Sequence, residues 1–109
     1  LGLHYRLSKL AAGDCSASMA RTYDIEVWIP SMGIYKEVSS ASNARAYQAR
    51  RGNIRYRGED GKLHLCHTLN ASGLATSREF PALVGHQNAD GSVTVPEVLR
   101  PFLGVDVIR

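Results

Sequence analysis

From Tyr23 to Ile29 the chain alternates: Tyr23, Ile25, Val27 and Ile29 hold one parity, and Asp24, Glu26 and Trp28 hold the other. A two-residue period puts the two sets on opposite faces of a strand, so TYDIEVWIP predicts a half-buried β-strand stopped by Pro30. Ser31-Met32-Gly33 follows as a turn, and GIYKEVSSASN reads as a second strand close enough in sequence to be its antiparallel hairpin partner. NIRYRG and KLHLCHTLN flank the Glu59-Asp60-Gly61 turn and predict a second hairpin, with the Asp60-Gly61 pair supplying the positive φ angles of a tight turn. In SREFPALVGHQN the apolar Phe80, Leu83 and Val84 recur at helical spacing with Gln87 on the same stripe, and Thr76 and Glu79 have the spacing of a capping box. A helix is predicted there. With Thr76 as N-cap, Pro81 falls beyond the first turn, where its missing N–H is a cost. The final DGSVTVPEVLRPFLG predicts a short Val-rich strand and a proline-started helical turn carrying Leu99, Phe102 and Leu103.

At 109 residues the chain has room for one core. Its 44% hydrophobic and 21% charged residues exclude the disordered, collagenous and disulfide-dense classes. No repeat, low-complexity tract or linker divides it, so it reads as one unit. No apolar run approaches the roughly 20 residues of a membrane span, and the N-terminal LGLHYRLSKLAAGD has charges spread through it, unlike a signal peptide. Cys15 and Cys66 form no CxxC pattern and are too few for a disulfide framework, which fits a reducing compartment. A soluble, cytoplasmic protein is expected, with no membrane partner. The net charge of +3 is too mild to identify a polyanionic partner. Its distribution is more informative: Arg45, Arg50, Arg51, Arg55 and Arg57 crowd into ARAYQARRGNIRYR, interleaved with Tyr47 and Tyr56. Such a segment is either a phosphate-attracting, base-stacking surface or a solvated, ion-paired one.

The run His64-Leu65-Cys66-His67 contains good zinc ligands, but on a strand His64 and Cys66 share a face and His67 points away, so three ligands cannot converge without a bulge. No GxSxG elbow supports a hydrolase triad. A different group is more useful: Glu37, Ser39 and Ser40, followed by Ser42 and Asn43, place a carboxylate and hydroxyls where they can hold a hydrated divalent cation bridging phosphates. HTLNASGLATSR then combines Thr68, Asn70 and Ser72 with a Gly73 turn and with Arg78 at a helix start, where backbone donors and a guanidinium can meet an anion. As chemistry alone this hints at nucleotide binding, beside the plainer reading of a capped helix and a polar strand end.

The runs TYDIEVWIP, YKEVSSASN, YQARR, HTLNASGLA, Arg78 five residues after Gly73, and DGSVTVPEVLRPFLG stand in an order and spacing that resembles bacterial-type seryl-tRNA synthetases from about Gly13 to Gly104. The resemblance implies an α+β fold, an antiparallel sheet flanked by helices forming part of a class II aminoacyl-tRNA synthetase catalytic core. It implies ATP-dependent activation of serine and its transfer to tRNA(Ser), with Mg accompanying ATP and a homodimeric parent protein. On the matching positions, Glu37, Val38, Ser39 and Ser40 correspond to the ATP-binding run, with Glu37 and Ser40 at the metal; Asn70 and Ser72 correspond to the serine-binding turn; and Arg78 corresponds to the motif 3 arginine, with a catalytic role at ATP. Strict alternation would put Glu37 and Ser40 on opposite faces, so the strand is expected to bend or end near Ser39.

Motifs 1 and 2 and the tRNA-binding arm of the family have no counterpart in residues 1–109, which therefore resemble the C-terminal portion of the catalytic domain. Alone they are expected to be inactive. The sequence also departs from the family locally, with Ala41 in place of a frequent Cys, CSASMAR in place of a glycine-containing run ending in Lys, and Glu79-Phe80-Pro81 and Gly85-His86 interrupting the usual motif 3 helix. An amino acid:carrier protein ligase and a non-catalytic synthetase-like binding or assembly module remain as alternatives.

Overall fold

The hairpin predicted around Pro30 forms the centre of the fold in a computed structural model that describes residues 1–109. Strand β2 (Arg21–Ile29) ends before Pro30 and pairs antiparallel with β3 (Ile34–Arg45). Gly33, at φ 65°, closes the turn by donating from its N–H to the Ile29 carbonyl at 2.9 Å. An N-terminal strand β1 (Tyr5–Lys9), which the sequence reading did not identify, adds to the free edge of β2. Its signal is a short alternation of Tyr5 and Leu7 with Arg6 and Ser8.

The second hairpin is present but shorter than expected. Strand β4 (Arg55–Arg57) pairs with β5 (Leu63–Leu65), and the chain then leaves the hairpin through Cys66 and His67. It re-enters the main sheet as β6 (Thr68–Ala71), antiparallel to β3, so the four-stranded order is β1-β2-β3-β6. The predicted continuous strand KLHLCHTLN is therefore two strands in two sheets. Only Gly61, not Asp60, takes positive φ in the turn (74°); Asp60 instead accepts from the Lys62 N–H through Oδ1 at 3.0 Å. Between β3 and β4 a helix that the sequence reading missed, α1 (Tyr47–Gly52), ends at Asn53 in the left-handed region, φ 53°.

Helix α2 (Thr76–Val84) forms as predicted, with a different cap. Ala75, not Thr76, is the N-cap, so Thr76 lies inside the first turn and the expected capping box does not form. Nor do Glu79-Phe80-Pro81 interrupt the helix: it runs through Pro81 and stops only at Gly85. His86 supports that end through Nδ1, which donates to the Ala82 carbonyl at 2.7 Å. Buried Ala82 packs with Val27, Ile29 and Val38 to form the core, with Leu3 and Ile25 against it. The C-terminal part is a two-stranded ladder, β7 (Val93–Thr94) with β8 (Val107–Ile108), enclosing a 3-10 turn at Glu97–Leu99 and α3 (Arg100–Leu103).

The result is an α+β slab with extents of 63 × 34 × 19 Å and a radius of gyration of 19.3 Å, against about 13 Å for a compact domain of this length. Large apolar side chains such as Leu69, Phe80 and Phe102 are exposed.

Candidate active site

Position on β3 decides which side chains meet. Along β2, Thr22, Asp24 and Glu26 share one face, and they stand opposite Ser42, Ser40 and Glu37. This match is possible because the register shifts once: Ile25 faces Ser39 while Glu26 already faces Glu37, leaving Val38 as the extra residue of a β-bulge. The expected break in alternation is thus real, and it is a bulge inside a continuing strand. Val38 points its side chain into the core at 3% exposure. Glu37 and Ser40 consequently lie on one face despite their odd spacing.

Ser42 pairs with Asn70 across β3 and β6, which brings the amide of Asn70 beside the same hydroxyl-rich floor. An open, mainly polar cleft of about 530 Å³ is lined by Asp14, Thr22, Asp24, Glu37, Ser40, Ser42 and Asn70, among others. Thr22 and Ser42 hydroxyls share a hydrogen bond of 2.8 Å across the floor. Arg78, third residue of α2, reaches back from the helix start and donates from Nη1 to Glu37 Oε1 at 2.8 Å. The pair is solvated, with side chains 58% and 41% exposed.

Of the residues singled out from sequence, Glu37, Ser40 and Asn70 line this cleft and Arg78 closes on it through Glu37. Val38 and Ser39 do not bring side chains there: Val38 is in the core, and Ser39 stands opposite Ile25 on the other face. Ser72 lies just past β6, exposed in the loop before α2, and does not line the cleft. Asp24 was overlooked as a site residue, although its place in the polar parity of β2 signals the face it occupies. Burial pushes its carboxyl above the usual range, neighbouring Glu37, Glu26 and Asp14 add to the shift, and Arg78 opposes it.

The His64-Leu65-Cys66-His67 run gathers no metal set; His64 Nε2 is engaged with Asp60 at 2.9 Å. Glu37 and Ser40 are hard oxygen donors of the kind that suits magnesium, and no three His, Cys, Asp or Glu side chains are gathered around them as a metal group. A divalent ion held there would complete its shell with phosphate and water oxygens.

The model of the tRNA synthetase class II core domain (G, H, P, S and T) matches residues 1–87. The chain belongs to the class II tRNA synthetase core family. Two relatives are serine–tRNA ligase 2 of Clostridium acetobutylicum, 71% identical over 97% of this chain, and a serine–tRNA ligase of Fervidobacterium nodosum, 57% identical over all of it. Among solved structures, seryl-tRNA synthetase from Pyrococcus horikoshii complexed with ATP superposes with a TM-score of 0.90 at 44% identity over 95% of the chain. The cytoplasmic serine–tRNA ligase of Naegleria fowleri in complex with AMP gives 0.82 at 36% identity over 96%. This class II core segment spans about a quarter of each of those proteins: 25%, 26%, 24% and 25% in the same order. No helix in it is long and apolar enough to cross a membrane.

Proposed function

We propose that the chain is the portion of a seryl-tRNA synthetase catalytic domain that holds the phosphate side of ATP and the hydroxyl end of serine. The reading rests on the cleft in which Glu37, Ser40 and Asn70 converge and which Arg78 meets from the helix start. Arg78 offers a planar guanidinium that can grip phosphate oxygens in two places or lie against adenine. Bound magnesium would neutralise phosphate charge. Glu37 and Ser40 would hold that ion, and Glu37 would be released from Arg78 as the guanidinium turns to the nucleotide. Asn70, with Ser72 brought in from its loop, would hydrogen-bond serine, so that alanine leaves polar groups unpaired and threonine adds a methyl group the pocket must exclude.

Adenylate formation needs the triphosphate held from both sides in a near-attack geometry, and these residues supply one side. The parent protein, read here as a cytoplasmic homodimer that transfers serine to tRNA(Ser), supplies the other. The test is amino-acid-dependent pyrophosphate exchange. The full-length protein is expected to exchange with serine far faster than with alanine or threonine, and residues 1–109 alone to give no exchange. Equal exchange with alanine refutes the serine assignment, and robust exchange by the isolated segment refutes the half-site.

A further inference from the structure

The arginine-rich segment plays no part in the cleft, yet it contains all of the chain's excess positive charge. Residues 45–67 hold six of the 13 Lys and Arg and two of the 10 Asp and Glu, so they carry +4 while the remainder carries −1. In the fold they make one unit, α1 followed by the β4–β5 hairpin, inserted between β3 and β6. All five arginines are exposed, and none has a carboxylate within ion-pairing distance, because the salt bridges of the chain lie elsewhere or join His64 to Asp60. Arg51 lies over the Tyr47 ring at 3.9 Å, and Arg57 donates to the Gly61 carbonyl at 2.7 Å. Arg45, Arg50 and Arg55 make no side-chain hydrogen bond at all, leaving their guanidinium forks free. Tyr47 and Tyr56 are 39% and 54% exposed beside them. An ion-paired surface is therefore not what the structure shows.

We propose that this unit is a docking face for an RNA backbone, with Arg45, Arg50 and Arg55 meeting phosphates and the tyrosine rings offering stacking surfaces. The proposal rests on the reading of the chain as part of a tRNA-charging enzyme and adds where on it RNA is held. Free guanidinium forks match phosphate oxygens, and exposed aromatic rings interleaved with them distinguish a nucleic-acid face from a site for an acidic peptide. The face begins at the end of the sheet where Ser42 and Asn70 line the cleft: Arg45 pairs with Thr68, and Thr68 Oγ1 donates to Gln48 of α1 at 2.7 Å. RNA seated there would lie next to the cleft without entering it.

The test compares the full-length protein with its Arg50→Gln/Arg55→Gln variant, using fluorescence anisotropy of a labelled tRNA(Ser) transcript across a salt series. Losing two phosphate contacts lowers the slope of log affinity against log salt by about 1.4–1.8. The expected result is that drop, affinity weakened about tenfold or more at low salt, and unchanged serine-dependent pyrophosphate exchange without RNA. An unchanged slope overturns the proposal, as does loss of exchange in the variant or competition by polyglutamate equal to that of RNA of the same charge. A wild-type protein that binds RNA through these arginines but exchanges no serine refutes the function proposed above and leaves the docking face standing.

Discussion

Replacing Arg78 with alanine separates the cleft's chemistry from the fold's stability. The salt bridge to Glu37 is exposed on both sides, at 58% and 41%, so it contributes only about 0.2–1 kcal/mol. Arg78 also stands in the first turn of α2, where no side chain caps the helix and a cation opposes the helix dipole by about 0.3–1 kcal/mol. The two effects nearly cancel, and truncation should move the melting temperature by less than about 3 °C. In the adenylation step the same guanidinium would meet charge developing on phosphate, where losing one such donor costs about 2.7–4 kcal/mol, or roughly 100- to 1,000-fold. Rapid-quench single-turnover adenylate formation and thermal melts of the full-length Arg78→Ala protein measure the two arms. Arg78→Lys should recover only part of the rate, because it restores the charge without the fork. A rate within threefold of wild type, or a rate lost in step with a large fall in melting temperature, refutes the reasoning.

Gly85→Ala would bring a Cβ to 2.8 Å from Ile29 Cγ2 in the core. Since Gly85 has helical backbone angles, the cost is overpacking alone, about 1–3 kcal/mol, read as a lower urea midpoint; an unchanged midpoint refutes the contact. Pro81→Ala restores an N–H that can donate to the Ser77 carbonyl inside α2, and urea unfolding should show a gain of about 1–2 kcal/mol, reduced from the full interior-proline cost by a looser unfolded chain; no gain would mean the helix already bends around the ring. Asp24 has a raised carboxyl pKa in the fold, so the folded state binds the extra proton. Its favourable contribution is present below the ordinary carboxylate pKa of 3.8 and is lost as pH rises through the folded value. Asp24→Asn should therefore be more stable than wild type at neutral pH, with the advantage shrinking toward pH 4; a constant difference across that range refutes the electrostatic cause.

The central hairpin was legible because TYDIEVWIP has a clean two-residue period and Pro30 fixes its end. Helix α2 was legible from its apolar stripe, but its cap was not: Thr76 and Glu79 satisfy the capping-box spacing by composition while the chain enters the helix one residue earlier, at Ala75. KLHLCHTLN looked like one strand because nothing in its alternation marks the departure at Cys66-His67, which is imposed by pairing with two different partners, β4 and β3. The helix α1 was hidden by its shortness, six residues with little apolar pattern. At the candidate site, Glu37, Ser40, Asn70 and Arg78 were singled out as residue types at family spacing, and the need for a break near Ser39 followed from alternation together with the resemblance, which puts Glu37 and Ser40 at one ion. Asp24 was not singled out, since its relevance depends on its cross-strand partner Ser40.

Strand β3 slips its register twice, at Val38 and again at Ala44, and both extra residues are buried, at 3% and 2%. The cleft face of β3 therefore follows a parity code that changes partway: odd numbers at Tyr35 and Glu37, even numbers at Ser40 and Ser42. Such a strand tolerates substitutions and length changes very differently. Ironing out the bulge at Val38 while keeping every residue would leave all the chemical groups of the site in the sequence, yet give Glu37 and Ser40, three residues apart, opposite faces under regular pleating. A frame error of one residue would thus be read here as a change of side, and the site is encoded as much by the count of residues between its members as by their identities.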